Sequence, residues 1–261
     1  MARLGDMENR HNRILDILAV EPATSVARLS SLLGVTKETV RKDLSLLESQ
    51  GKVSRIHGGA ARIDRPQHLP FQLRATIDEE EKKRIAAAAS QLVCEGEHII
   101  IEASTTNFLL CNALLQQPEK LATVTIITNS LRIAQLLENG AKCCKLIFLG
   151  GEMDAEEGRT KGSQVVAALS AYQADKAFLS VAALNRDLKI TAFKEEDMLF
   201  QKKMLSCACR TYALVNSRKY PTSALYTVCE AGALTGLITD AKFETEAKQY
   251  LAMQHTDVIV V

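Results

Sequence analysis

Apolar and polar positions divide the chain into two textures. In the first sixty residues the apolar positions fall at helical spacing. Ile14, Ile17 and Leu18 share a face opposite Arg10, His11 and Arg13, which predicts a helix from about Glu8 to Val20 that ends at Glu21-Pro22. Val26, Leu29 and Leu33 mark a second, short helix, capped by Ser25 and closed by Gly34. Thr36 opens a third helix, which buries Val40, Leu44 and Leu47 and stops at Gly51. Lys52 to Ala60 then alternates polar and apolar residues around Gly58-Gly59, as a β-hairpin does. Helix, short glycine-containing turn, helix and hairpin together predict a winged helix-turn-helix.

From Ile63 to Ile77 the periodicity breaks around Pro66 and Pro70, which predicts a stiffened linker. Asp78 is placed to open a helix, with Glu81 three residues on as in a capping box. Glu79 with Lys83 and Glu80 with Arg84 are favourable i,i+4 pairs, and Ile85, Ala88, Ala89 and Leu92 supply a buried stripe. Beyond Gly96 short apolar runs alternate with helical segments. The expected strands are His98–Ile101, Val124–Thr128, Leu146–Leu149, Lys176–Val181, Tyr212–Val215, Gly236–Thr239 and Val258–Val261. The expected helices are Thr105–Leu115, Leu131–Asn139, Gln164–Ala171, Glu195–Cys209 and Glu246–Gln254. Such alternation predicts an α/β domain with a mainly parallel, buried sheet. The chain thus reads as a winged helix-turn-helix domain over 1–62, a linker over 63–77 and an α/β domain over 78–261.

Composition mainly excludes. A chain of 261 residues, 47% hydrophobic and 24% charged, has room for one large domain, or for one medium and one small, and is not disordered. No run approaches the ~18 apolar residues of a membrane span, so no membrane partner is expected. The first residues are polar, and seven cysteines, an odd number, read as reduced, buried thiols, which predicts a cytoplasmic protein. Cys143-Cys144, Cys207 with Cys209, and five scattered histidines show no metal spacing, so no metal or cofactor is expected.

Net charge is only +1, but it is unevenly spread. Between residues 37 and 62, six bases (Lys37, Arg41, Lys42, Lys52, Arg55, Arg62) face three acids (Glu38, Asp43, Glu48), leaving +3. Thr36, Lys37, Glu38, Thr39, Arg41 and Lys42 at the start of the third helix are long donors and short hydroxyls suited to base edges and phosphates. Arg55 and His57 sit on the hairpin. The partner this predicts is double-stranded DNA.

In parallel sheets ligands bind beyond the carboxyl ends of the strands. Those ends carry Glu102-Ala103-Ser104-Thr105-Thr106, Thr128-Asn129-Ser130, Gly150-Gly151, Lys161-Gly162-Ser163 and Asn216-Ser217-Arg218-Lys219. Hydroxyls and amides opening helices, with a lysine, suit a phosphorylated, hydroxyl-rich small molecule. The candidate effector contacts are Glu102, Ser104, Thr105, Thr106, Asn129, Ser130, Gly150, Gly151 and Lys219. Helix capping by the same serines and threonines is the competing explanation. Glu102, Glu152, Glu195 and Asp240 have no spacing that demands acid–base work, and neither a phosphate loop nor a nucleophile elbow is present. A binding switch is favoured over an enzyme.

Thr36-Lys37-Glu38-Thr39-Val40-Arg41-Lys42-Asp43-Leu44, Leu47-Glu48 and His57-Gly58-Gly59-Ala60 resemble the DeoR family of bacterial transcriptional regulators. The resemblance assigns Asp43 a structural role, positioning neighbouring basic side chains rather than touching DNA, and it implies a C-terminal domain similar to ribose-5-phosphate isomerase that senses sugar phosphates. Family signatures align with Glu102–Thr106, Thr128-Asn129, Gly150-Gly151 and Asn216–Tyr220. Glu102, Ala103, Asn216, Arg218 and Tyr220 depart from them, and Lys189-Ile190-Thr191 lacks the family's glycine. The resemblance implies a homo-oligomer (dimer or tetramer) that represses a carbohydrate-metabolism operon until a sugar or polyol phosphate releases it. The alternative is a sugar-phosphate isomerase carrying a DNA-binding head.

Overall fold

The computed structural model describes residues 2–21, 23–49, 52–56, 58–62, 71–140, 144–240 and 245–261. Contacts divide the chain into two compact units, Met1–Ile77 and Asp78–Val261.

In the first unit, helices α1 (Ala2–Val20), α2 (Val26–Leu33) and α3 (Lys37–Ser49) share one core. Ile14 and Leu18 meet Val26, Leu29, Val40, Leu44 and Leu47 there, with Val53 and Ala60 closing it from the hairpin. Both expected caps form: Ser25 Oγ accepts from the Arg28 amide at 3.1 Å, and Thr36 Oγ1 from the Thr39 amide at 3.2 Å. Gly34 closes α2 in the left-handed region. The hairpin strands β2 (Val53–Ile56) and β3 (Gly59–Arg62) pair antiparallel, and a third strand, β1 (Ala23–Ser25), pairs with β3 on its other side. The sequence does not predict β1, because three small or polar residues carry no alternation. Gly59 permits it: a Cβ there would lie 2.3 Å from the Thr24 carbonyl oxygen. Within the expected linker, Phe71–Thr76 forms helix α4, too short for a helical repeat to be visible, while residues 63–70 lie outside the described ones.

The second unit opens with α5 (Glu79–Gln91). Its expected capping box is absent: Asp78 makes no side-chain cap and instead accepts from Arg218 Nη1 at 2.9 Å. Lys83 pairs with Glu79 at 3.0 Å, and Glu80 also goes to Lys83 (2.8 Å) rather than to Arg84. There follow β4 (His98–Ile101), α6 (Thr105–Leu115), α7 (Pro118–Thr123), β5 (Thr125–Thr128), α8 (Leu131–Gly140) and β6 (Lys145–Phe148). A two-stranded ribbon, β7 (Glu152–Asp154) and β8 (Arg159–Lys161), leads to α9 (Ser163–Leu169) and β9 (Ala174–Ser180). Next come β10 (Ala183–Leu184), β11 (Lys189–Ala192), α10 (Glu195–Ser206), β12 (Ala208–Val215) and β13 (Tyr226–Glu230). The chain ends with β14 (Gly236–Thr239), α11 (Thr245–Met253) and β15 (Asp257–Val260).

All seven expected strands lie in one parallel sheet of order β15-β14-β12-β9-β4-β5-β6. Successive side chains leave a strand on opposite faces, so both faces are covered. Ile99, Ile101, Ile126, Phe178 and Leu214 pack with α5, α6 and α8. Ile100, Ile127, Ala177 and Leu179 pack with α9 and α10. Ala213, Val215 and Leu237 meet α11 and the antiparallel sheet β10-β11-β13. Helix α10 stops at Ser206, short of the expected Cys209, because Ala208 and Arg210 are drawn into pairing with Ala174 and Lys176 of β9. Cys209 is therefore on a strand and exposed. Cys94 is exposed too, its Sγ accepting from Lys176 Nζ at 3.7 Å, so the expectation of buried thiols throughout fails at both.

Candidate functional site

The apolar stripe of α3 points into the core, which leaves Thr36, Lys37, Glu38, Arg41 and Lys42 exposed and Thr39 half-buried. Lys37 and Lys42 make no ion pair among the described residues. Arg41 Nη1 reaches Glu38 at 3.2 Å, and Thr36 and Thr39 join hydroxyls at 2.9 Å. Both contacts are on the surface and readily exchanged for outside partners. The hairpin is held to the same helix: the Arg55 amide donates to Glu48 Oε1, and Arg55 Nη1 donates to Ser45 Oγ, each at 3.1 Å. His57 lies outside the described residues.

Asp43 belongs to this helix but faces inward. Arg10 donates to it through Nε (2.6 Å) and Nη2 (3.0 Å), and His11 Nε2 lies 3.1 Å away. Burial works to raise its carboxyl, but hydrogen bonds from Arg10 and then His11 outweigh that and hold it below the usual range. Asp43 thus locks α3 to α1 and does not steer the bases beside it on α3.

At the strand ends of the second unit the predicted polar groups do gather, but most are turned to internal work. Ser104 Oγ caps α6 by accepting from the Asn107 amide at 3.0 Å, with Thr105 and Thr106 buried in the first turn. Ser130 Oγ accepts from the Ile133 amide at 3.2 Å. Asn129 uses both ends of its amide, accepting from the Ala103 amide and donating to the Thr160 carbonyl, each at 3.0 Å. Asn216 Oδ1 accepts from the Arg218 amide at 2.8 Å, and Asp240 accepts from the Ser217 amide (2.9 Å) and hydroxyl (2.8 Å). Gly150 faces open space. At Gly151 a Cβ would lie 3.0 Å from the Lys161 carbonyl oxygen, so its absence lets the chain run beside β8. Lys219 is half-exposed beyond β12.

Glu102 occupies the point where strand order reverses, between β4 and β9. Its carboxylate accepts from the Ser180 amide, and Gln201 Nε2 lies 3.0 Å from both oxygens. Burial pushes this carboxyl up to about 8, against the lowering effect of the Ser180 and Gln201 hydrogen bonds; Asp197 raises it further and Arg159 lowers it. Asn107 Nδ2 spans the same junction, donating to the Glu102 and Phe178 carbonyls at 3.0 Å each. Sequence reasoning did not single out Asn107 or Gln201. The available signal was an amide on an otherwise apolar helix face, beside Leu110 on α6 and beside Phe200 and Met204 on α10.

The ribbon β7–β8 leans on the β5 end, where Arg159 bridges to Ser130. Arg159 is mostly covered and pairs with Asp197, with Glu196 at 3.6 Å and with Asp154 at 3.8 Å. Lys161 lies 3.6 Å from Glu152 and 3.7 Å from Glu196, and Lys194 lies 3.8 Å from Asp154. A cleft of about 450 Å³ opens here, lined by Lys161, Ser163, Val166, Lys194, Glu195 and Leu199 among others. Among the described residues, no group of three His, Cys, Asp or Glu side chains is placed to hold a metal, and no helix is long and apolar enough to cross a membrane.

Residues 10–66 match the DeoR-like helix-turn-helix domain, and residues 77–241 match the DeoR C terminal sensor domain. The HTH-type transcriptional repressor GlcR of Bacillus subtilis is 32% identical over 89% of this chain and 88% of its own. The HTH-type transcriptional repressor CsqR of Escherichia coli is 28% identical over 96% of this chain and 94% of its own. The HTH-type transcriptional regulator UlaR of Salmonella arizonae is 32% identical over 97% and 98%. Among solved structures, ribose 5-phosphate isomerase A of Methanocaldococcus jannaschii overlaps 54% of each chain at 19% identity and a TM-score of 0.40.

Proposed function

The chain belongs to the DeoR family of DNA-binding transcriptional regulators, and we propose that it represses a carbohydrate-metabolism operon until a phosphorylated sugar or polyol releases it. Relatives named as repressors support that sign of action, and membership in a family of regulators sets the isomerase alternative aside. The observation that carries the reading is the opening turn of α3, which offers Lys37, Arg41 and Lys42 to solvent while Asp43 fixes the helix from behind. In the major groove, Thr36, Lys37, Glu38, Thr39, Arg41 and Lys42 would meet bases and phosphates, with Arg55 and His57 on the flanking backbone or in the minor groove.

The second unit would hold two or more copies together, so that paired heads meet half-sites separated by about 10 bp or a multiple. The effector would bind at the strand-end rim of Glu102, Ser104–Thr106, Asn129, Ser130, Gly150, Gly151 and Lys219. Such a ligand acts only through its unequal affinity for the DNA-bound and released arrangements. A chromosomal partner places this work in the cytoplasm.

The test selects duplexes from a random library with the full chain and titrates the winners. Paired half-sites, affinity that falls steeply with salt, and a weaker, salt-flattened response in Arg41→Ala are expected. A chain without salt-dependent duplex affinity would overturn the reading.

A further inference from the structure

We infer that Asp78 and Arg218 form a two-position coupling element, which ties the effector rim to the point where the chain enters the second unit. This rests on the reading of the chain as a regulator released by a ligand, and it concerns how that release is passed on. Asp78 is the first residue of the second unit, and its carbonyl accepts from the Lys82 amide at 3.0 Å. Arg218 lies 140 residues along the chain, in the single helical turn Ser217–Lys219 that follows β12. Its Nη1 donates to Asp78 Oδ1 at 2.9 Å. Both supports are firm. Ile85, Ala86 and Ala89 of α5 pack with Tyr212 and Leu214 of β12 and Ile238 of β14. Asn216 and Asp240 hold the turn through the Arg218 and Ser217 amides. The ion pair between these supports is the weaker part, with the Arg218 side chain half-exposed.

Asp78 stands in a conformation that costs it more than the alternative. Its φ of 49° and ψ of 41° are left-handed, whereas the residue that caps a helix is ordinarily extended. The run Asp78-Glu79-Glu80-Glu81 suits the extended form, in which the Asp78 carboxylate accepts from an amide of the first turn. In the structure that side-chain cap is not made. One carboxylate therefore has two alternative employments, Arg218 or the open end of α5. It cannot serve both, because the cap requires a different φ. A half-exposed ion pair and a cap are of similar, modest strength, so a small bias selects between them. The rim supplies the bias. Lys219 is the next residue of the same turn, and an anionic effector drawn to it competes with Asp78 for the Arg218 guanidinium. Once released, Asp78 turns to cap α5, and the change in its φ redirects the chain arriving from residues 71–77. Arg218 departs from the family signatures, which makes the element a property of this chain.

The experiment takes the full chain and the duplex won from the random library, and compares wild type with Asp78→Asn, Arg218→Ser, the double variant and Arg218→Lys. Circular dichroism checks that each is folded. Breaking the pair from either side imitates release, and should weaken duplex binding about two- to fivefold, the range of a half-exposed ion pair. The double variant should be no weaker than the weaker single, and Arg218→Lys should stay within about 1.5-fold of wild type. Hydrogen exchange at the amides of Glu79–Glu81 should slow in Asp78→Asn and Arg218→Ser as the cap forms. Inorganic phosphate, against chloride of equal ionic strength, should slow it in wild type but not further in Arg218→Ser. Wild-type affinity in both singles, losses that multiply in the double, or unchanged exchange would overturn the element and leave the regulator standing. Wild-type exchange that ignores phosphate would overturn the link to the rim. A wild type without salt-dependent duplex affinity would overturn the regulator reading and the coupling with it.

Discussion

Two carboxylates show how far a residue's role follows from its surroundings. Asp43 lies among the bases of α3, yet its partners are Arg10 and His11 of α1. Asp43→Ala should cost about 2–3 kcal/mol, because it strands a partly buried guanidinium; a shift in the urea midpoint of the full chain checks it. The carboxyl is held low, so its contribution is complete above the ordinary aspartate range and is lost as pH falls through its folded value. Glu102 has the opposite sign. In the folded chain it keeps its proton up to about 8, whereas unfolded it loses it near 4.5, so stability falls as pH rises across that window. The slope approaches about 1.4 kcal/mol per pH unit in mid-window. Glu102→Gln should remove this loss, with Gln201 turning its amide to suit; unfolding at pH 5.5 and 8 compares the two slopes. The sequence showed that a carboxyl stands at the first strand end. It did not show that the carboxyl points at Ser180 and Gln201 instead of outward, because that depends on partners far along the chain.

At the level of elements, the amphipathic helices and the seven sheet strands were legible, since burial on one or both faces leaves a periodic trace. The strands outside that sheet were harder to read. Strand β1 exists because β3 has a free edge and Gly59 no side chain; β7–β8 is a charged ribbon, and β10–β11 buries Leu184 and Ile190 in runs too short to show an alternation. Gly59→Ala puts a methyl against backbone, which cannot swing aside. It should separate β1 from β3 at a cost of about 1–3 kcal/mol, seen as lost hydrogen-exchange protection at Ala23–Ser25. If that protection persists, the close approach is not what makes the residue a glycine.

For the whole molecule, the proposed reading makes a DNA-reading head and an effector site on the sheet of one chain a coupled pair. Whatever factor the effector takes from operator affinity, the operator must take from effector affinity. Calorimetric titration of the effector with and without operator duplex should return that factor within error, and an unequal pair would mean that the two do not share one equilibrium. The division into a helical head and an α/β unit was readable from the break in apolar spacing over 63–77 and the strand–helix alternation beyond Gly96. Which loops face a ligand was not, because capping and binding draw on the same residue types.

The position of β4 also bears on how the protein is made. It is the first strand of the seven-stranded sheet to leave the ribosome, yet it ends near the middle, with Ile99 to Ile101 between β5 and β9. Its β5 neighbour follows soon in synthesis; its other neighbour appears only after α9. Throughout that interval a row of isoleucines presents an unpaired edge, the kind of surface on which nascent chains stick to one another. Slow translation between β5 and β9 would prolong that exposure, and a chain cut short in that stretch would keep the edge unpaired.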